Sequence, residues 1–342
     1  MTRTIRFALI GCGVIAPVHV LSIADLPDAQ LVAVCDVDES RARKLGAACS
    51  AAVYMDYTDM LRRDDIDVVN ILTPSGRHAE IGIAAARAGK HVIVEKPIDV
   101  SLTNANALIQ ACREAGVKLS IISQHRFDQA VVDLKRAILE NKLGTLHFGG
   151  AYTQWYRDQE YYDRGDWHGT WSMGGGGALM TQAIHYVDLL QYIMGPVAEV
   201  SAYCATRAHR RIEVEDTAAA TLKFQSGALG VIEGLTSAYP GFCARLEIFG
   251  SDGGVIIEND RVKEWQLRSG EEYSAPPEGG KIIAGTSSAD MWHLAHRRQI
   301  QDMLTAIWED REPLVNGEEG RKPLEVILAI YEAARTGKPV RL

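Results

Sequence analysis

Over the first third of the chain, apolar residues fall into short β-branched runs separated by Ala-rich stretches whose apolar positions recur at helical spacing. The runs cover 5–11, 31–37, 51–55, 68–74, 91–97 and 117–122. Strand and helix in strict alternation predict right-handed crossovers and a parallel sheet with helices on both faces. From about 145 the texture changes to longer strands joined by turn signals. The stretch 216–239 reads as two strands around Ser226-Gly227, and 246–260 as two more around Asp252-Gly253. This half is expected to form an open, mostly antiparallel sheet.

Between the two textures, 128–141 is apolar at helical spacing and is followed by Gly144. The tail carries two further amphipathic helices, about 292–310 and 322–336, whose spacing fits packing against the first domain. The pattern therefore predicts an α/β protein with a doubly wound domain over 1–122 and an α+β domain over 123–342, its last helix returning to the first. No internal repeat or low-complexity segment interrupts it.

Composition narrows the classes. With 342 residues, 47% hydrophobic and 23% charged, the chain can bury two cores without disulfide or metal staples and is not disordered. Acidic side chains number 44 against 36 basic, a formal charge of −8, so the charge surplus that drives phosphate-backbone binding is missing and nucleic acid is not an expected partner. Cys12, Cys35, Cys49, Cys112, Cys204 and Cys243 are scattered without a close pair, which reads as reduced cytoplasmic thiols and no zinc site. Arg3 and Arg6 precede an apolar stretch as in a leader, but Gly11, Gly13, Pro17 and His19 interrupt it. Nothing approaches the ~20 apolar residues of a spanning helix, so no membrane is expected.

The first strand runs into Gly11-Cys12-Gly13-Val14-Ile15-Ala16, a GxGxxA turn, with Pro17 opening a helix. Gly11 permits the tight turn, Gly13 lets backbone approach a pyrophosphate, and Ala16 allows close packing of helix on strand. The helix start at Val14 and Ile15 offers N–H groups and a positive dipole end to phosphate. The next strand ends in Asp36, 25 residues after Gly11, placed to accept from ribose hydroxyls and to repel a 2′-phosphate. The first domain is thus expected to be a Rossmann domain taking NAD rather than NADP, although Arg41 and Arg43 stand nearby.

Further motifs follow: Thr73-Pro74 with His78, then Glu95-Lys96-Pro97, then Gln124-His125-Arg126-Phe127, then Gly174 to Gly177 leading to Thr181, His185 and Asp188. Together with the fingerprint, this series resembles the Gfo/Idh/MocA family of sugar oxidoreductases over nearly the whole chain. Within the family, 159–171, 185–190 and 212–217 resemble the branch that includes UDP-N-acetylglucosaminuronate 3-dehydrogenases. The resemblance implies an NAD-dependent dehydrogenase acting on a secondary hydroxyl, at C3, of a sugar or nucleotide sugar. It implies cofactor contacts at Thr73, Pro74, His78, Glu95, Lys96 and Arg126, with Lys96 and His185 at the reacting hydroxyl. The chemistry agrees, because oxidation of an alcohol leaves a proton that some group must accept, and Lys and His are suitable types. Where the family often has Asp or Asn four residues before the histidine, this chain has Thr181, so which of the pair takes the proton stays open. His185 is the preferred base.

Residues 152–171 concentrate aromatics, among them Tyr156 and Trp167, which can stack on sugar rings. His168 stands where the resembling branch often has Arg, leaving Arg126, Arg157 or Arg164 to pair with an acidic sugar. Tyr156, Trp167, His168, Thr181 and Asp188 are the expected substrate contacts. The exposed face of an open sheet implies a homodimer or homotetramer through the second domain. Two other readings remain: reduction of a keto- or anhydro-sugar with NAD(P)H, and a nucleotide-binding sensor without chemistry.

Overall fold

The computed structural model describes residues 3–165, 167–274 and 289–342, with side chains from 293 onward in the last stretch. Two compact units do not follow one cut in the sequence: Met1–Gln124 with Ser287–Arg321, and His125–Thr286 with Lys322–Leu342.

In the first unit the six apolar runs become β1 (Ile5–Ile10), β2 (Ala29–Cys35), β3 (Ala52–Tyr54), β4 (Val68–Ile71), β5 (His91–Val94) and β6 (Leu119–Ile121). They lie in the order β3-β2-β1-β4-β5-β6, and all are parallel. Helices start where a short polar side chain can cap them: Asp38 accepts from Arg41 N, Asp56 from Thr58 N and Ser101 from Asn104 N. Phe7, Leu9 and Ile23 pack with Ile300, Met303 and Leu304 of the helix Ala289–Trp308, each burial contributing about 1.5–3 kcal/mol. The edge strand β6 is covered by backbone further on, with Ile121 N donating to the Val315 carbonyl at 3.0 Å.

The second unit holds β7 (Leu146–Gln154), β8 (Val197–Ala205), β9 (Thr217–Phe224), β10 (Leu229–Leu235), β11 (Ala244–Gly250), β12 (Gly253–Glu258), β13 (Arg261–Leu267) and β14 (Val340–Arg341). Both expected hairpins form, β9–β10 and β11–β12. The order is β13-β12-β11-β7-β10-β9-β8-β14, antiparallel except for the parallel pair β7–β10. Inward residues alternate along β9 and β10. The helix Ile184–Met194 packs on this face, and glycine at 149 leaves it room, since a Cβ there would lie 2.8 Å from Leu190 and Met194.

The tail helices are Ala289–Trp308 and Gly317–Thr336. The first lies in the first unit, whereas the second passes from the first unit to the other at Lys322, so most of the last helix belongs to the second unit.

Candidate active site

At the carboxyl ends of β1 and β2, Gly11 has φ +102°, and a Cβ there would lie 2.6 Å from the Leu72 carbonyl oxygen, so the turn requires glycine. At Gly13 an added Cβ would meet nothing within 4 Å, open space of the kind a phosphate needs beside the backbone. Ile15 caps the helix Ala16–Ala24 without a side-chain bond; Ala16 N and Val18 N donate to the Gly13 and Ile15 carbonyls, and Pro17 has no N–H, so the turn itself satisfies the helix start. Asp36 is fixed here by accepting from Cys12 N at 2.7 Å and Asp38 N at 2.9 Å, one bond per oxygen. Each oxygen keeps acceptor capacity for a hydroxyl. Val14 is 99% exposed and Val37, which follows Asp36, is 94% exposed.

The loops after β4 and β5 are tied together. The ring nitrogens of buried His78 lie 2.7 Å from the Pro97 carbonyl oxygen and 2.8 Å from that of Thr73, so His78 braces the two expected cofactor loops against each other. Thr73 Oγ1 is buried without a hydrogen-bond partner among the described residues, an orphan that a ligand hydroxyl or amide would satisfy. Glu95 is buried, not presented to a ligand. Its Oε1 lies 3.0 Å from His19 Nε2 and 3.4 Å from His296 Nε2, while Oε2 accepts from Lys96 N at 3.2 Å. Burial pushes the Glu95 carboxyl up, but bonds to His19 and His296 outweigh it and hold the group well below the usual range. Burial in turn keeps His19 neutral.

In the second unit a glycine run leads to His185. Gly175 has φ +73° and Gly176 +156°, and a Cβ on Gly177 would lie 1.7 Å from the Glu215 carbonyl oxygen. Glu215 holds the run from the side, accepting from Gly177 N at 3.0 Å, Leu179 N at 2.8 Å and Tyr331 Oη at 3.0 Å. A π-helical turn, Leu179–Ala183, follows, and His185 sits half-buried at the start of the next helix. Thr181 Oγ1 donates back to the Gly177 carbonyl at 2.8 Å. The His125 ring stands 5.1 Å from that of His185 and nearly perpendicular to it, at 84°.

Arg126 and Asp188, expected at cofactor and substrate, are joined to each other instead. Arg126 donates through Nε at 2.8 Å and Nη2 at 2.7 Å to the two Asp188 oxygens, with both side chains buried and the guanidinium 4.4 Å above the Tyr192 ring. A buried bidentate pair of this kind neutralises both members and serves the fold.

The aromatic segment divides. Tyr162 is core, bonded to Thr236. The Trp167 and His168 rings lie 3.8 Å apart and tilted by 30°, His168 meets Tyr161 at 4.7 Å, and Tyr156 meets the exposed Tyr239 edge-on at 5.2 Å. Burial pushes the His168 imidazole down to about 4, so at neutral pH it carries no charge where an arginine would. Arg164 pairs with Glu160, but Arg157 bonds neutral oxygens, the Tyr156 carbonyl and Gln182 Oε1, and no carboxylate pairs with it among the described residues.

Residues 5–123 match the family described as "Oxidoreductase family, NAD-binding Rossmann fold", and 131–256 match "GFO/IDH/MocA C-terminal domain". The chain is 33% identical over its whole length to 98% of the uncharacterized oxidoreductase YrbE of Bacillus subtilis. It belongs to the GFO/IDH/MocA family. Among GFO/IDH/MocA proteins it is 27% identical to the myo-inositol 2-dehydrogenase of Thermotoga maritima over 98% of both chains. The WlbA dehydrogenase of Bordetella pertussis, solved in complex with NADH and UDP-GlcNAcA, is 35% identical with a TM-score of 0.88 over 99% of each chain. The protein is an NAD-dependent oxidoreductase of the sugar and inositol dehydrogenase type.

Within this GFO/IDH/MocA framework the first unit fits a dinucleotide through open backbone at Gly13, Asp36 and the Thr73 orphan. Val37 and Glu215 escape a reading of the sequence. Val37 carries one signal, a bulky apolar residue just past a strand-ending carboxylate, whereas Glu215 sits in an acidic cluster that reads as solvated. Beside Glu215, residues 207–209 form a braced loop: Arg207 N, Ala208 N and His209 N all donate to Asp216.

Proposed function

We propose that this chain oxidises the C3 hydroxyl of a pyranose carried on a nucleotide, of the acidic amino-sugar class, using NAD, with Lys96 and His185 at the reacting hydroxyl. The observation that carries this reading is the 35% identity, over 99% of both chains, to a dehydrogenase solved with NADH and UDP-GlcNAcA. Arg157 supports the acidic substrate, since its guanidinium has no carboxylate partner among the described residues and faces neutral oxygens.

Bound NAD supplies the hydride acceptor. The rest falls to the chain. His185 takes the hydroxyl proton as the carbonyl forms, and the Lys96 ammonium donates a hydrogen bond to the same oxygen, stabilising the negative charge that develops there. Asp36 holds the ribose hydroxyls, and Val14 and Val37 offer apolar surface beside it. His78 keeps Thr73 and Pro97, and with Pro97 its neighbour Lys96, at a fixed separation. Copies of the chain associate through the outer face of the second sheet, where Tyr203 is 85% exposed.

The test is NADH formation from NAD across a panel of nucleotide-linked and free sugars, with NADP in parallel. NADH is expected from UDP-linked uronic acids, with NADP at least tenfold poorer. His185→Ala and Lys96→Met should each lower kcat by about 10²-fold or more while leaving NAD binding within threefold. A tenfold or smaller loss in His185→Ala removes it as the base, and a panel without NADH from any acidic nucleotide sugar removes the substrate class.

A further inference from the structure

Beside the expected base lies a second histidine that the mechanism above does not use. His125 is buried and its Nδ1 lies 2.7 Å from Asp128 Oδ2 and 3.2 Å from Asp260 Oδ1, while Asp260 also accepts from Tyr186 Oη at 3.0 Å. One ring nitrogen between two carboxylates is a proton donor to both, which fixes the ring plane. The His185 ring stands across from it at 5.1 Å and 84°, and the Tyr186 ring lies 6.2 Å away. The groups facing His125 are thus Asp128 from the segment before the helix Gln129–Leu139, Asp260 from the β12–β13 turn, and His185 and Tyr186 from the helix Ile184–Met194.

Resting on the reading of His185 as the base, we propose that His125 is a positioning residue for it: clamped by Asp128 and Asp260, it fixes the His185 ring and sets a positive charge against it. Burial works against a charge on His125, but Asp260 and Asp128 outweigh it and hold the imidazolium well above the usual histidine range. A cation at this distance disfavours a second proton on His185, and a perpendicular ring contact with a cation favours the neutral imidazole. His185 is thereby kept in the form that can accept a proton. Thr181, four residues before His185, turns its hydroxyl back to Gly177 and supplies no carboxylate for this purpose.

The experiment is an NMR titration of histidine Cε1–H signals in the full-length protein, with His125→Ala and His185→Ala identifying the two resonances. In the wild type His125 should titrate well above the ordinary value of about 6.5 and His185 below it. In His125→Asn, which keeps an amide donor for the carboxylates but carries no charge, the His185 midpoint should rise by about one pH unit, and the acid limb of kcat/KM should move with it. In His125→Lys, which restores the charge, the midpoint should return toward the wild-type value. An unmoved His185 midpoint in His125→Asn, or a wild-type His125 that titrates at or below 6.5, overturns the proposal; the second result needs no variant to fold. Retained kcat in His185→Ala would instead remove the base assignment, a failure visible apart from the coupling of the two rings.

Discussion

Glu215 carries a carboxyl into a place with almost no water, and burial pushes it up to about 7 against the pull of bonds from Leu179 N, Gly177 N and Tyr331. The folded protein therefore keeps a proton that the unfolded chain releases near 4.5. By linkage, this contribution to stability is fully present below about 4.5, falls as pH rises, and is lost above about 7. In urea titrations at pH 5 and pH 8, wild type should lose about 3 kcal/mol relative to Glu215→Gln over that interval. A difference between the two proteins that does not change with pH would contradict the assignment. Glu215 also shows why residues of this sort are hard to read from sequence. Its role depends on backbone 36 and 38 residues away and on a tyrosine 116 residues away, and nothing local distinguishes it from Glu213 beside it. The pairing of Arg126 with Asp188 was hidden for the same reason: their types suit ligands, and only the fold brings residues 62 apart into a buried pair. The placement of Asp36 at the strand end was legible because its neighbours in space, Cys12 and Asp38, are set by the strand and turn pattern around it.

Elements were far more legible than pairings. Six β-branched runs, two Gly-centred hairpins and three amphipathic stretches correspond to strands and helices, because periodicity and turn chemistry are local. The π-helical turn Leu179–Ala183 was not legible, since it depends on how the glycine run is held. That run makes a paired prediction. Gly177→Ala would force a Cβ onto the Glu215 backbone, which cannot rotate away, and should cost about 3 kcal/mol or more in urea unfolding. Gly13→Ala has open space and should unfold within 1 kcal/mol of wild type, yet raise the Kd for NAD at least tenfold by calorimetry, because the added methyl occupies the phosphate approach. A Gly177→Ala protein as stable as wild type, or a Gly13→Ala protein with unchanged NAD affinity, would show that these glycines are not spaced for the reasons given.

At the scale of the whole molecule, a net charge of −8 sits on a protein whose cofactor is itself an anion. The two are compatible on the proposed reading, in which the dinucleotide is held by local groups such as the open backbone at Gly13 and not by overall charge. The proposed division of labour follows the two units: the first unit holds the fingerprint, Asp36 and Lys96, and the second holds the glycine run, His185 and Arg157. The central claim is that a hydride leaves C3 of a nucleotide-linked sugar for NAD. Its most direct measurement is a turnover with NAD and UDP-N-acetylglucosaminuronate deuterated at C3, read by mass spectrometry of the reduced cofactor. One deuterium on the nicotinamide of the product is expected, with slower turnover than from the protiated sugar; unlabelled NADH, or no reduced cofactor from either sugar, would contradict hydride transfer from C3.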